Sequence, residues 1–208
     1  MPSRSTQDRS PARRPRPPKG KTEEDLLRVA TALFGERGFN GVSVAEIAEA
    51  AGVTNAGVYY YFRNKQDLLF RVLESALTGY LSRLEGIAAI QAPARDKLSL
   101  AIDNHLDFVL RRGDAVRVFI RERRFLEPPL SAQYQTHVDR YDTLVRGILA
   151  EGVESGEFPA MDVTVAGMLT LGAINSIVEW HKPRGRLSDE KLVEIVRQLI
   201  LDGLFGSR

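Results

Sequence analysis

The sequence predicts an all-α chain of about nine helices, arranged as an N-terminal three-helix unit followed by a larger helical bundle. Three observations lead there. From Thr22 onward apolar residues recur at helical spacing in every segment, and Gly, Pro and capping residues punctuate those segments. No run of alternating β-branched residues is long enough to make a sheet.

The first twenty residues stand apart. They are rich in proline and almost free of side chains larger than alanine that could enter a core, so a disordered arm is expected over residues 1–20. The arm is basic: seven Lys and Arg up to Lys21 face Asp8 alone, although the 208-residue chain carries a formal net charge of only +2. Positive charge is therefore gathered at one end.

The first helix begins after Thr22, whose hydroxyl can accept from orphan amides while Glu23, Glu24 and Asp25 suit the positive end of the helix dipole. Leu26, Ala30, Leu33 and Phe34 form its inner face, Gly38 ends it, and Phe39 points back inward. The second start is a capping box, Ser43-Val44-Ala45-Glu46, with Val42 and Ile47 placed as a hydrophobic staple; Gly52 ends that helix. Thr54 caps a third helix running to Phe62. Asn64, with Asp67 three positions on, opens a long fourth helix through Leu84. Beyond Pro93 helices are expected at 96–111, 114–125, 130–155, 163–180 and 189–205.

Composition and motifs exclude several classes. The chain has no cysteine, so a disulfide framework, a thiolate zinc site and a cysteine nucleophile are all ruled out. There is no Gly-x-Ser-x-Gly elbow and no phosphate-binding glycine loop, and His105, His137 and His181 lie far apart. No catalytic residues, metal or cofactor are expected, and the chain is not read as an enzyme. Neither a signal peptide nor an uncharged apolar stretch of spanning length is found, so a cytoplasmic protein with no membrane partner is expected.

Two short helices at 43–51 and 54–62, joined by a glycine-containing turn, have the geometry of a helix-turn-helix. Its second helix can enter a major groove while the first braces it. The run Val58-Tyr59-Tyr60-Tyr61-Phe62-Arg63-Asn64-Lys65 sharpens this. Successive helical residues point about 100° apart, so three adjacent tyrosines cannot all enter one core, and at least one faces solvent or a partner. A tyrosine hydroxyl can donate to phosphate while its ring packs on sugar. The alternative is that the three plug the junction with the long helix. Lys65 opposes the dipole in a first helical turn, which a nearby phosphate explains; the alternative is an ordinary solvated lysine.

These residues carry a resemblance. Gly41 to Ala48, Ala51-Gly52-Val53 and Tyr59 to Lys65 resemble the DNA-binding domain of the TetR/AcrR family of bacterial regulators, over about residues 22 to 75. The resemblance implies a two-fold homodimer with a helix-turn-helix domain at 21–66 and an effector-binding and dimerisation domain at 67–208. Its partners would be operator DNA and a small molecule, and its action repression. It places Ser43, Thr54, Tyr59, Tyr61 and Lys65 beside the DNA backbone and Asn55, Gly57 and Tyr60 toward the groove. An asparagine can pair with adenine in bidentate fashion, and a glycine permits close approach to base edges. Many relatives carry His at the position of Tyr61, so any phosphate contact there comes from a phenol.

In the second part, residues 163–178 are apolar around most of the helix and include Ala166, Gly167, Gly172 and Ala173, which suits close approach of another helix. Leu192, Ile195, Val196, Leu199 and Gly203 share one face of the last helix. Two such helices per subunit make a four-helix dimer interface, the alternative being completion of a monomer core. Candidate effector residues are His105, Phe108, Phe119, Arg121, Arg123, Arg124, Tyr134, Leu169, Asn175 and Trp180, with Asp103, Asn104, Val109, Glu122 and His181 beside them, each of which also fits an internally paired or solvated role. Residues 175–188 resemble the segment between the last two helices in a branch of the family that regulates fatty-acid and sterol catabolism and responds to acyl-CoA thioesters. An acyl-CoA or similar apolar carboxylic ligand is therefore expected, with aromatic or cationic drug-like ligands as the alternative.

Overall fold

A computed structural model describes residues 22–182 and 185–205; the expected basic arm at 1–20 lies outside them. The described residues form nine α-helices and one 3-10 turn, with no strand. They are α1 (Glu23–Arg37), α2 (Val44–Ala51), α3 (Asn55–Tyr61), α4 (Lys65–Ala89), α5 (Ala94–Arg111), α6 (Gly113–Glu122), the turn Arg123–Phe125, α7 (Leu130–Glu154), α8 (Val163–Trp180) and α9 (Asp189–Phe205).

Local chemistry sets the first boundaries. Thr22 and Asp25 satisfy each other across the start of α1, and Ser43 and Glu46 do the same at α2. Gly52 ends α2 in the left-handed conformation at φ +69°, which a side chain with a Cβ adopts only at a cost. Asn64 accepts from the Asp67 amide at 2.8 Å and starts α4 almost without a break after α3. Three boundaries differ from expectation by more than one residue, and the first is α4, which runs past Leu84 to Ala89. α5 starts two residues early because the Glu157 carboxylate, about sixty residues away in sequence, accepts from the Ala94 and Arg95 amides at 3.1 Å each. The single helix expected at 114–125 stops at Glu122 and tightens into the 3-10 turn, which leads to the buried Leu126.

α4 is the spine. Leu68, Leu69, Val72, Leu73, Ala76, Leu77, Tyr80, Leu81 and Leu84 bury one long stripe against α1, α5 and α7, each leucine contributing about 2 kcal/mol of transfer free energy. α1 to α3 form a head at one end, with α1 packed on α2, α4 and α6; α5, α7 and α8 form the body. By length and composition α8 could cross a membrane, contrary to the expectation that no such stretch exists. In the fold, its inner residues Ala166, Thr170, Ile174, Ile177 and Val178 are buried within the body. Its outer residues Val165, Met168 and Leu169 are exposed, as are Ile195 and Leu199 of α9.

Candidate functional site

The head presents a groove of about 630 Å³ lined by residues 40–46 together with Asn55, Tyr59 and Lys65. Four expected DNA contacts, Ser43, Asn55, Tyr59 and Lys65, thus share one surface. Around it the chain is strongly cross-tied. Glu46 accepts from the Ser43 amide and hydroxyl at 2.7 Å each with one oxygen, and from Arg37 at 2.7 Å with the other. The Ser43 amide, with the Arg37 guanidinium behind it, holds the Glu46 carboxyl down to about 2. The Ser43 proton is therefore already committed, and a phosphate there has to compete with Glu46.

α3 behaves differently along its length. Thr54 Oγ1 accepts from the Gly57 amide at 3.2 Å, leaving its own proton to donate. Asn55 is exposed at the first turn. Tyr59 and Tyr60 are exposed, whereas Tyr61 is half-buried, edge-on to Tyr60 at 4.8 Å and beside the buried Phe62. So the tyrosine run divides: two residues outward, one at the junction. Gly57 is buried with Val58, which corrects its expected place toward the groove; its amide is tied back to Thr54 and its bare Cα lies on the inner side of α3. Lys65 is no ordinary solvated lysine. Its ammonium sits 4.2 Å above the Phe39 ring, and partial burial lowers its pKa against the opposing pull of Glu46.

The expected effector residues separate into three places. His105, Phe108 and Tyr134 are buried in the body, with Phe119 and Asn175 half-buried beside them. Arg121, Arg123 and Arg124 are exposed: Arg121 pairs with Glu179, while Arg123 and Arg124 lie over the rings of Phe119 and Phe125. Leu169 and Trp180, at 68% and 54% exposure, stand on the outer side of α8 and not in the interior expected of them, because the inner face of that helix is taken by Thr170, Ile174 and Ile177.

The interior group is a directed hydrogen-bond chain. His105 Nε2 lies 3.1 Å from Asn175 Oδ1, which can only accept, so Nε2 carries the proton and Nδ1 accepts from the Tyr141 hydroxyl at 3.0 Å. Asn104 Nδ2 donates to the Tyr80 carbonyl at 3.0 Å and approaches Tyr141 Oη at 3.4 Å, leaving its buried Oδ1 without a partner. Burial drives the His105 pKa down to about 4 and pushes both Tyr134 and Tyr141 up, so all three stay neutral near pH 7. Tyr141 was not among the expected residues, although its seven-residue spacing from Tyr134 puts both on one face of α7.

A second feature was not foreseen. A cleft of about 840 Å³ opens between α1, α4, the ends of α5 and α8 and the start of α6, lined among others by Thr31, Ser75, Val109, Arg112, Gly113 and Val178. Of the expected effector residues only Val109 and His181 line it; the others lie elsewhere.

A helix-turn-helix head with an exposed reading surface, carried on an α-helical body, defines a DNA-binding transcriptional regulator. Residues 26–72 match the family model for bacterial regulatory proteins of the tetR family, and residues 91–204 match that for the tetracyclin repressor-like C-terminal domain. The chain belongs to the TetR family. It is 27% identical over 183 residues to the fatty acid metabolism regulator protein of Bacillus subtilis (strain 168), covering 86% of this chain and 93% of that protein. Its fold matches the transcriptional regulator FadR from Bacillus subtilis in complex with stearoyl-CoA, at 26% identity and a TM-score of 0.72 over 88% of this chain and 100% of that one. It also matches AibR in complex with isovaleryl coenzyme A and operator DNA, at 25% identity and a TM-score of 0.78 over 89% and 98%.

Proposed function

We propose that the protein is a homodimeric repressor, acting in the cytoplasm and without catalytic activity, that leaves its operator when an acyl-CoA thioester or a related apolar acyl ligand binds the body. Residues 21–66 serve as the reading head and 67–208 as the effector-binding and dimerisation domain, with α4 continuous from one into the other. Ser43, Thr54, Tyr59, Tyr61 and Lys65 meet the DNA backbone, and Asn55 and Tyr60 face the bases. The outward apolar residues of α8 and α9, from Val165 to Leu199, supply a self-complementary dimer face.

One observation carries the effector reading: the polar interior around His105, Tyr141 and Asn175 is uncharged. Among the described residues the buried side chains of the Asp, Glu, Lys and Arg type are Lys97, paired with Glu151, and Glu122, which faces the head. A buried carboxylate finds no free cation there, whereas the carbonyl of a thioester needs only a hydrogen-bond donor. Two relatives of similar fold hold CoA thioesters, which supports the same class.

The test is selection of bound fragments from genomic DNA, followed by fluorescence anisotropy on the selected site with stearoyl-CoA, isovaleryl-CoA, the free acids and cationic dyes. Release by a thioester at concentrations where its free acid does nothing is the expected result. Absence of any sequence preference overturns the regulator reading, and release by dyes alone overturns the acyl reading.

A further inference from the structure

The head is continuous with the body only through α4, whose first turn follows α3 directly. A single helical stem resists bending poorly at its root, so what holds α3 at a fixed angle must be sought elsewhere. It lies at the end of α6. Glu122 is only 8% exposed, and its Oε2 accepts from the backbone amide of Phe39, 83 residues earlier, at 2.8 Å. Gly38, at φ +75°, brings bare backbone against the same carboxylate; a Cβ there would stand 3.5 Å from Oε1. A second tie runs from Gln66 in the first turn of α4, which donates to the Phe125 carbonyl at 2.8 Å and accepts from the Glu127 amide at 3.3 Å. Between the two ties the Phe39 and Phe125 rings stack at 6.1 Å, and Lys65 covers Phe39 from the DNA side.

Glu122 continues the buried stripe of Ala115 and Val118 on α6, a position where an apolar residue would be the ordinary choice. Burying a carboxylate is costly, and an apolar side chain of equal volume would stabilise the junction no less. What the carboxylate adds is direction. An apolar contact tolerates sliding, but a one-turn slip here would strand both a charge and an amide without partners. The same holds for Gln66, whose two bonds fix donor and acceptor at once.

We propose that Glu122 and Gln66 are positioning residues for DNA recognition: without touching DNA, they lock the helix-turn-helix to the segment that follows α6 and thereby set the angle at which α3 meets the groove. The proposal rests on the DNA-binding reading of the head. Phosphate attraction survives a loosened head because it depends on charge and not on angle, whereas base readout does not survive it.

The experiment compares wild type with Glu122→Ala, Glu122→Gln and Gln66→Ala, using anisotropy on the selected operator and on an unrelated duplex, with hydrogen exchange of the segment containing Phe39. Glu122→Ala is expected to lower operator affinity about tenfold, as loss of one charge-assisted hydrogen bond allows, and to leave the unrelated duplex within about twofold. Glu122→Gln keeps an acceptor oxygen and is expected to recover to within about threefold of wild type, with Gln66→Ala in between. Exchange at Phe39 should rise in Glu122→Ala and not in Glu122→Gln. Unchanged operator affinity in Glu122→Ala, an equal loss on both duplexes, or unchanged exchange at Phe39 overturns the proposal. Failure of the wild type to prefer any operator would instead sink the DNA-binding reading, and the exchange measurement still reports on the junction.

Discussion

At the scale of single residues, the two ends of the reading surface should fail differently. Lys65→Ala is expected to weaken binding to every duplex and to reduce the slope of affinity against salt by about one counterion. Asn55→Ala should cost about 1 to 3 kcal/mol on the operator and relax base preference while leaving the salt slope intact. Salt titrations on cognate and scrambled duplexes separate the two, and matching losses would mean that Asn55 is not a base reader. His105 makes a different prediction. Its pKa is about 4 in the folded chain against 6.5 for a free imidazole, so between those values only the unfolded state takes up the proton. Stability is thus fully present above pH 6.5 and declines as pH falls toward 4, by about 3 kcal/mol in total from this residue. Urea unfolding at pH 7 and pH 4.5 should show a smaller loss for His105→Gln than for wild type, after the carboxylates common to both are subtracted. The sequence made His105 and Asn175 visible because polar groups in apolar helices need partners. It did not show that they were each other's partners, since seventy residues separate them.

At the scale of elements, the glycines around α2 carry different duties. A Cβ on Gly41 would lie 2.3 Å from the Arg37 carbonyl oxygen, so Gly41→Ala cannot be absorbed and must reopen the turn between α1 and α2. A loss of about 2 kcal/mol or more is expected, together with weaker operator binding as α2 shifts. At Gly52 a Cβ meets nothing within 4 Å, and Gly52→Ala should cost only the left-handed conformation, about 1 to 2 kcal/mol, with operator affinity retained. Thermal unfolding of the two variants checks the order. The helices themselves were legible wherever their caps were local: the Thr22 cap, the box at Ser43 and the Asn64 start stand as expected, with Asp25 completing a box at Thr22. They were misread where a distant group decided. Glu157 starts α5 from the far side of the body, and Glu122 at the end of α6 is bonded to Phe39 in the head; no window of neighbouring residues contains either fact. The burial of Gly57 was missed for a related reason, because a glycine without a side chain leaves no periodicity to follow.

At the scale of the molecule, the outward apolar stripes of α8 and α9 predict how it assembles. Leu169→Glu or Leu199→Glu places a charge where each residue is at least two-thirds exposed in the single chain, so folding should be spared. If the stripes pair across a two-fold axis, either variant becomes monomeric by sedimentation and loses most operator affinity, since a lone head holds a single half-site. A dimer that survives both substitutions would place the interface elsewhere. The ten residues of α6 matter here in another way. The helix spans about 15 Å, with Gly113 in the wall of the 840 Å³ cleft and Glu122 in the tie to the head. If a helix of that length behaves as a short strut, bulk placed in the cleft should push on one end of it while the other end steers the head. Ala32, exposed on α1, also faces this cleft, and Ala32→Trp supplies such bulk without altering any DNA-facing side chain. Operator affinity should change in that variant while its affinity for unrelated DNA does not; identical operator affinity would show that the strut is not loaded from the cleft. A strut loaded in this way would make the cleft sensitive to width, much as a caliper closes on width whatever the material between its jaws, beside the chemical selection made around His105.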